Sequence, residues 1–218
     1  MKSLEMAAAE NDHHVKTRVS YAQKTVAARE DVYFSFGGLH LTFSAQRMAL
    51  DPERYLAIQD AMMKKANDKL RDALSAEYVA YNNIIVSRLA DEKARSLANN
   101  PVGPLEAFFW FRDVVRLYLE SWRAKTFAPR KFLTNYVIAC ENNRSDYALQ
   151  AGMLSVGKSF YETCAVNSMG RTRDLAESCV ASCGELSDLS LNMSRVCERK
   201  ARLYLDLMIE RDISPVWT

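Results

Sequence analysis

Residues 152–159 spell Gly-Met-Leu-Ser-Val-Gly-Lys-Ser, which fits the phosphate-binding pattern GxxxxGK[ST] at every position. In a nucleotide site of that kind the glycines free backbone N–H groups to wrap the phosphates, the lysine reaches the terminal phosphate and the serine holds Mg²⁺. A strand must feed the loop directly. Here the residues leading in, 146–151, read as helix, and Leu149, Met153, Val156 and Phe160 carry one apolar face straight through the motif. The remaining chain is helical in pattern and offers no strand with a metal-binding aspartate. The spacing therefore predicts a helix in which Gly152 and Gly157 permit close packing while Lys158 meets solvent, and nucleotide binding ranks third among the functions considered.

A second group is basic. Arg112, Arg116, Arg123, Lys125, Arg130 and Lys131 lie among Phe108, Phe109, Trp110, Phe111, Tyr118, Trp122 and Phe127. Three of the arginines, 112, 116 and 123, project within about 40° of one another on a helical wheel. Guanidinium groups beside aromatic rings suit phosphate contact and base stacking, so these six cations are the candidate nucleic-acid-binding residues. Binding of that kind weakens steeply with added salt. The bland reading is a solvated face, since Asp113 to Arg116 and Arg116 to Glu120 have ordinary ion-pair spacing.

Other chemistry is sparse. Cys179 and Cys183 are four apart on a helical pattern, without a further Cys or His at ligand spacing, so no metal site is expected. The five cysteines are odd in number, lack a CxxC and read as reduced thiols. His13 and His14 fall in a polar stretch and His40 beside Ser35, and no Ser-His-Asp or Cys-His grouping can be assembled. No catalytic residue and no cofactor is expected.

The elements that would position these groups are mostly helices. The exception is residues 31–44, Asp-Val-Tyr-Phe-Ser-Phe-Gly-Gly-Leu-His-Leu-Thr-Phe-Ser, where strict alternation flanks a Gly37-Gly38 loop suited to a type I′ turn. The implied register opposes Phe36 to Leu39, Phe34 to Leu41 and Val32 to Phe43. All six lie on one face, with Tyr33, Ser35, His40 and Thr42 on the other. An isolated hairpin is marginal in water, so its edges and apolar face must be covered by helices or by a second copy.

Residues 1–14 read as a polar arm and Val15 to Val26 as a short helix. Asp51-Pro52 opens a helix that nothing punctuates until Asn99-Asn100-Pro101, roughly 70 Å if continuous. Asn82-Asn83 is the expected place for a break. Gly103-Pro104 starts a helix to about Phe127, another spans about Arg130 to Glu141, and Ser145 is expected to cap one reaching Gly170. From Thr172, residues Leu175, Cys179, Leu186, Leu189, Met193, Val196, Leu203 and Leu207 form a near-heptad seam, with Ser182 and Lys200 as defects, that needs a partner helix. The chain ends in a tail, 213–218, containing Trp217.

These readings give a mainly α fold: an irregular bundle of about five to seven helices with one N-terminal hairpin, forming a single domain over residues 15–212. At 218 residues, 49% hydrophobic and 26% charged, the chain has the composition of an ordinary globular protein. Its net charge of +2 gives no global reason to bind nucleic acid, so such a site would be local. No apolar run reaches the length of about 18 residues that a membrane span needs, and the first residues lack a signal-peptide pattern. A cytoplasmic or virion protein is expected rather than a secreted or membrane one.

The leading functional expectation is a non-enzymatic structural protein that self-associates, such as a helical coat or nucleocapsid-type subunit contacting nucleic acid. Phe34, Phe36, Leu39, Leu41 and Trp217 are the candidate self-association residues. The alternative is a helical adaptor or effector module that binds a protein partner. A homo-oligomer is expected, and a small-molecule substrate is not.

Overall fold

A computed structural model describes residues 2–99 and 130–210. In order these form α1 (Lys2–Ala27), β1 (Val32–Phe36), β2 (Leu39–Phe43), α2 (Ala45–Leu50), α3 (Pro52–Asn99), α4 (Arg130–Val166) and α5 (Gly170–Glu210). The fold is mainly α with one antiparallel hairpin near the N-terminus, as the sequence pattern implies. Contacts divide the chain into two compact units, Met1–Leu74 with Ala139–Arg199 and Ser75–Ile138 with Lys200–Thr218.

The hairpin register is the one the alternation dictates, from Val32 opposite Phe43 to Phe36 opposite Leu39. Gly37 and Gly38 take φ of 55° and 82°, the left-handed values a type I′ turn requires. Ser35 and His40 hydrogen-bond across the exposed face at 2.9 Å. Directly after β2, the Ser44 hydroxyl accepts from the Arg47 N–H (3.1 Å) and caps α2. The Asp51 carboxylate accepts from the Arg54 N–H (3.2 Å), with Pro52 at the first position of α3. Both caps satisfy donors that a helix start would otherwise leave orphaned.

Three helical expectations are corrected. The polar arm over 1–14 belongs to α1, where Asp12 takes the Arg144 guanidinium at 3.0 Å and so ties a stretch without an apolar stripe to α4. No break occurs at Asn82-Asn83, and α3 is one helix of 48 residues. Ser145 caps nothing: it lies inside the continuous α4, with its hydroxyl oxygen buried and without a hydrogen-bond partner among the described residues. In the last two cases packing overrides the preference of Asn and Ser for helix ends.

The core of the first unit joins the hairpin face to α3, α4 and α5. Leu41, Phe43, Leu56, Met63, Leu154, Tyr161 and Leu186 are essentially inaccessible to solvent. The rings of Phe43 and Tyr161 meet edge-on with centroids 6.0 Å apart. In the second unit Ile84, Val137, Leu207 and Met208 are buried, and Tyr136 stacks on Tyr204 at 5.3 Å.

The helix seam of α5 finds its partner in its own chain. Cys179, Cys183, Leu186, Met193 and Val196 are buried, and the Cys179 thiol donates to the Leu56 carbonyl of α3 (3.4 Å). The two seam defects are explained by their partners. Ser182 donates to Asp60 Oδ1 at 2.7 Å in the first unit, and Lys200 pairs with Glu77 at 2.5 Å in the second.

One backbone feature carries a stability prediction. Helix α1 ends with Arg29 N–H bonded to the Val26 carbonyl and Glu30 N–H to that of Thr25, a Schellman pattern whose left-handed residue is Arg29, φ 61°. A side chain there costs free energy that glycine avoids. Arg29→Gly is expected to raise the unfolding free energy by about 1 kcal/mol in urea titration, and no gain would contradict the cap assignment.

Candidate functional site

The phosphate-loop match resolves as helix. Residues 152–159 lie inside α4, so their backbone N–H groups serve the helix instead of wrapping a phosphate. A Cβ on Gly152 would come within 2.5 Å of the Val19 side chain on α1, and one on Gly157 within 2.5 Å of the Phe43 ring. Both glycines are therefore packing positions, and Lys158 is exposed.

The hairpin face is also accounted for within the chain. Phe34, Leu39 and Leu41 are buried in the core, and Phe36 is half-buried with its ring edge-on to Tyr147 at 5.4 Å. As self-association residues Phe34, Leu39 and Leu41 would need the helices that cover them to open first. The outward backbone groups of β2 are engaged by α3. Gln59 accepts from the Thr42 N–H (3.2 Å), and the Tyr55 hydroxyl donates to the Thr42 carbonyl while accepting from the Ser44 N–H (3.3 Å). The outer edge of β1 has no paired strand among the described residues.

Arg112, Arg116, Arg123, Lys125 and Trp217 lie outside the described residues. Of the six basic positions only Arg130 and Lys131 fall within the described residues, at the start of α4.

Two groups of hydrogen-bonded polar side chains lie in the first unit, one centred on Asp60 between α3 and α5 and one on Gln59 between α3, α4 and β2. The Asp60 carboxylate accepts from Ser182 (2.7 Å), Ser178 (3.0 Å) and Lys64 (2.7 Å). Burial pushes its pKa up, but the hydrogen bonds from Lys64, Ser182 and Ser178 outweigh that and hold it below the ordinary carboxylate value. Asn67 donates to the Ser182 carbonyl and to Glu185, which also pairs with Arg71. Gln59 links Thr42 to the Tyr161 hydroxyl (3.2 Å).

Burial raises the Tyr55 and Tyr161 hydroxyls well above the ordinary tyrosine range, so both stay neutral donors. It also pushes the Cys179 and Cys183 thiols up to about 12. The thiolate is the nucleophilic form of cysteine, and burial disfavours it at both positions. Among the described residues no three His, Cys, Asp or Glu side chains group as a metal site. No helix among them is long and apolar enough to cross a membrane.

What remains as a surface feature is a groove of about 760 Å³ in the first unit, where several elements end. The end of α1 supplies Val26, Ala27 and Arg29, α2 supplies Ala45, Met48 and Ala49, and α4 supplies Val156, Phe160, Thr163 and Cys164. None of the residues of α2 is buried although four of its six, Ala45, Met48, Ala49 and Leu50, are apolar. Beside the groove, Leu50, Val166 and Met169 are 85%, 84% and 91% exposed. Exposed large apolar side chains beside a concave surface make this end a candidate interaction site. Burial raises the half-buried Cys164 thiol to about 11.

Sequence reasoning missed this groove because its lining comes from three separated stretches of the chain, 23–29, 45–52 and 156–172. One local signal was present: Leu50 precedes the Asp51-Pro52 stop, and Val166 and Met169 flank the Asn167-Ser168 turn, positions where large apolar side chains have no helix face to bury them. No protein-family model matches the chain, and no curated protein or solved structure is similar to it.

Proposed function

We propose that this chain is a non-enzymatic assembly protein that self-associates through the groove end of its first unit, not through the hairpin face. The observation that carries this reading is that Leu50, Val166 and Met169, each next in the chain to a residue lining the groove, are exposed, while Met48, Val156 and Phe160 line the groove itself. Such a patch suits a two-fold contact in which each copy places its projecting side chains in the other's groove. Full burial contributes about 1.5–3 kcal/mol for each such side chain. Contact with nucleic acid through Arg112, Arg116, Arg123, Lys125, Arg130 and Lys131 belongs to the same proposal and rests on their charge and aromatic neighbours in the sequence.

Cys164 lines the groove and, unlike the four buried cysteines, is partly accessible. Its alkylation, followed by mass spectrometry, is expected to slow as protein concentration rises and to become independent of concentration in Val166→Glu/Met169→Glu. A rate independent of concentration in the unmodified chain contradicts self-association at this end and leaves the groove to a partner of another kind.

A further inference from the structure

Helix α1 is held in the first unit more lightly than the helices around it. From residue 6 to residue 27 its one buried position is Ala22, and the half-buried positions that flank it include Asn11, Val15, Val19 and Val26. These are small or polar side chains, where α4 buries Leu154 and Tyr161 and α5 buries Leu186 and Met193. Hydrophobic stabilisation scales with the apolar area removed from water, so this face contributes little to holding α1 down. Two specific contacts fix it on α4. The Asp12 carboxylate takes the Arg144 guanidinium at 3.0 Å, and Val19 seats against the bare backbone of Gly152. The other end turns into β1 through exposed residues 28–30, where Arg29 holds a left-handed φ of 61°. An element with few buried apolar groups opens before the core does, and a strained connecting residue lowers the cost of opening.

Gly152, Val156 and Phe160 are four apart on α4 and share one face. Val19 covers the first, while the other two line the groove together with Val26 and Ala27 of α1. Helix α1 is thus both a wall of the groove and the cover of the surface onto which the groove would continue. We propose that α1 is a strap, hinged at residues 28–31, whose release removes one wall of the groove and extends it along α4 from Val156 to Gly152. As control of self-association the strap rests on the reading of the groove as the association site; its opening does not.

A Cβ at position 152 lies 3.6 Å from that of Val19, within the separation a disulfide spans. Val19→Cys/Gly152→Cys in a Cys164→Ser background therefore locks the strap when oxidised and frees it when reduced. In hydrogen exchange of the full unmodified chain, amides over 15–26 are expected to exchange at least about a hundredfold faster than those over 179–196 of α5. Oxidation of the variant closes that gap, and reduction reopens it. Equal rates in the unmodified chain, or a gap that survives oxidation, overturn the strap. In light scattering the oxidised variant is expected to need a several-fold higher protein concentration than its reduced form to reach the same mass. Coincident dilution curves overturn control of the groove by α1. A single-chain mass for the unmodified chain at every concentration overturns the groove reading and with it the control of association, while the exchange comparison still decides whether α1 opens.

Discussion

Phe43→Ala is expected to lower the unfolding free energy by about 3–5 kcal/mol, the range for removing a buried aromatic ring. Phe43 is fully buried, sits between Phe160 and Tyr161 at centroid distances of 6.1 and 6.0 Å, and fills the space that Gly157 leaves open on α4. The two positions should therefore be coupled. Gly157→Ala alone places a methyl group 2.5 Å from the Phe43 ring and is expected to cost about 1–3 kcal/mol through overpacking. In the Phe43→Ala background the same change has room and gains helix propensity, so it becomes neutral or stabilising. Denaturant titration of the four proteins in a double-mutant cycle measures the coupling. Additive effects would contradict the packing role given to Gly157 and reopen the reading of residues 152–159 as a functional motif.

Asp60→Ala is expected to cost about 2–3 kcal/mol, because the carboxylate accepts two short hydroxyl bonds and its removal leaves the buried Ser182 hydroxyl without its acceptor. Lys64→Met should cost much less, since the Lys64 side chain is 61% exposed and its attraction to Asp60 is screened by water. The pH dependence follows from the direction of the shift. The folded pKa of Asp60 lies below its ordinary value of 3.8, so the folded state binds fewer protons than the unfolded one between the two values. Its contribution is fully present above about 3.8 and is lost as pH falls through the lower folded value. The stability difference between the unmodified chain and Asp60→Asn should thus be constant near neutral pH and shrink in strong acid. A difference that grows on acidification, or a Lys64→Met cost equal to that of Asp60→Ala, would contradict the network.

The hairpin was the most legible part of the fold, since a two-residue period and a Gly-Gly turn each specify register without reference to the rest of the chain. The Asp51-Pro52 helix start was legible for the same reason: the cap is written in adjacent residues. The seam of α5 could be read, and so could its two defects, but not their partners, because Asp60 and Glu77 lie more than a hundred residues away. The first turns of α1 carry no apolar stripe to announce a helix, and α1 is held in part by the long-range pairing of Asp12 with Arg144. The direction of the hairpin's apolar face was clear from the alternation. Whether it met helices of its own chain or another copy was not, since a core and an interface use the same residues.

Two copies are proposed to meet through the groove end of the first unit. Multi-angle light scattering across a dilution series measures this most directly, comparing the unmodified chain with Leu50→Glu/Val166→Glu/Met169→Glu. All three side chains are exposed, so the substitutions leave the core intact. The expected result is a mass above that of one 24.8 kDa chain that falls on dilution, and a single-chain mass for the triple variant at every concentration. Equal masses for the two proteins throughout would contradict it.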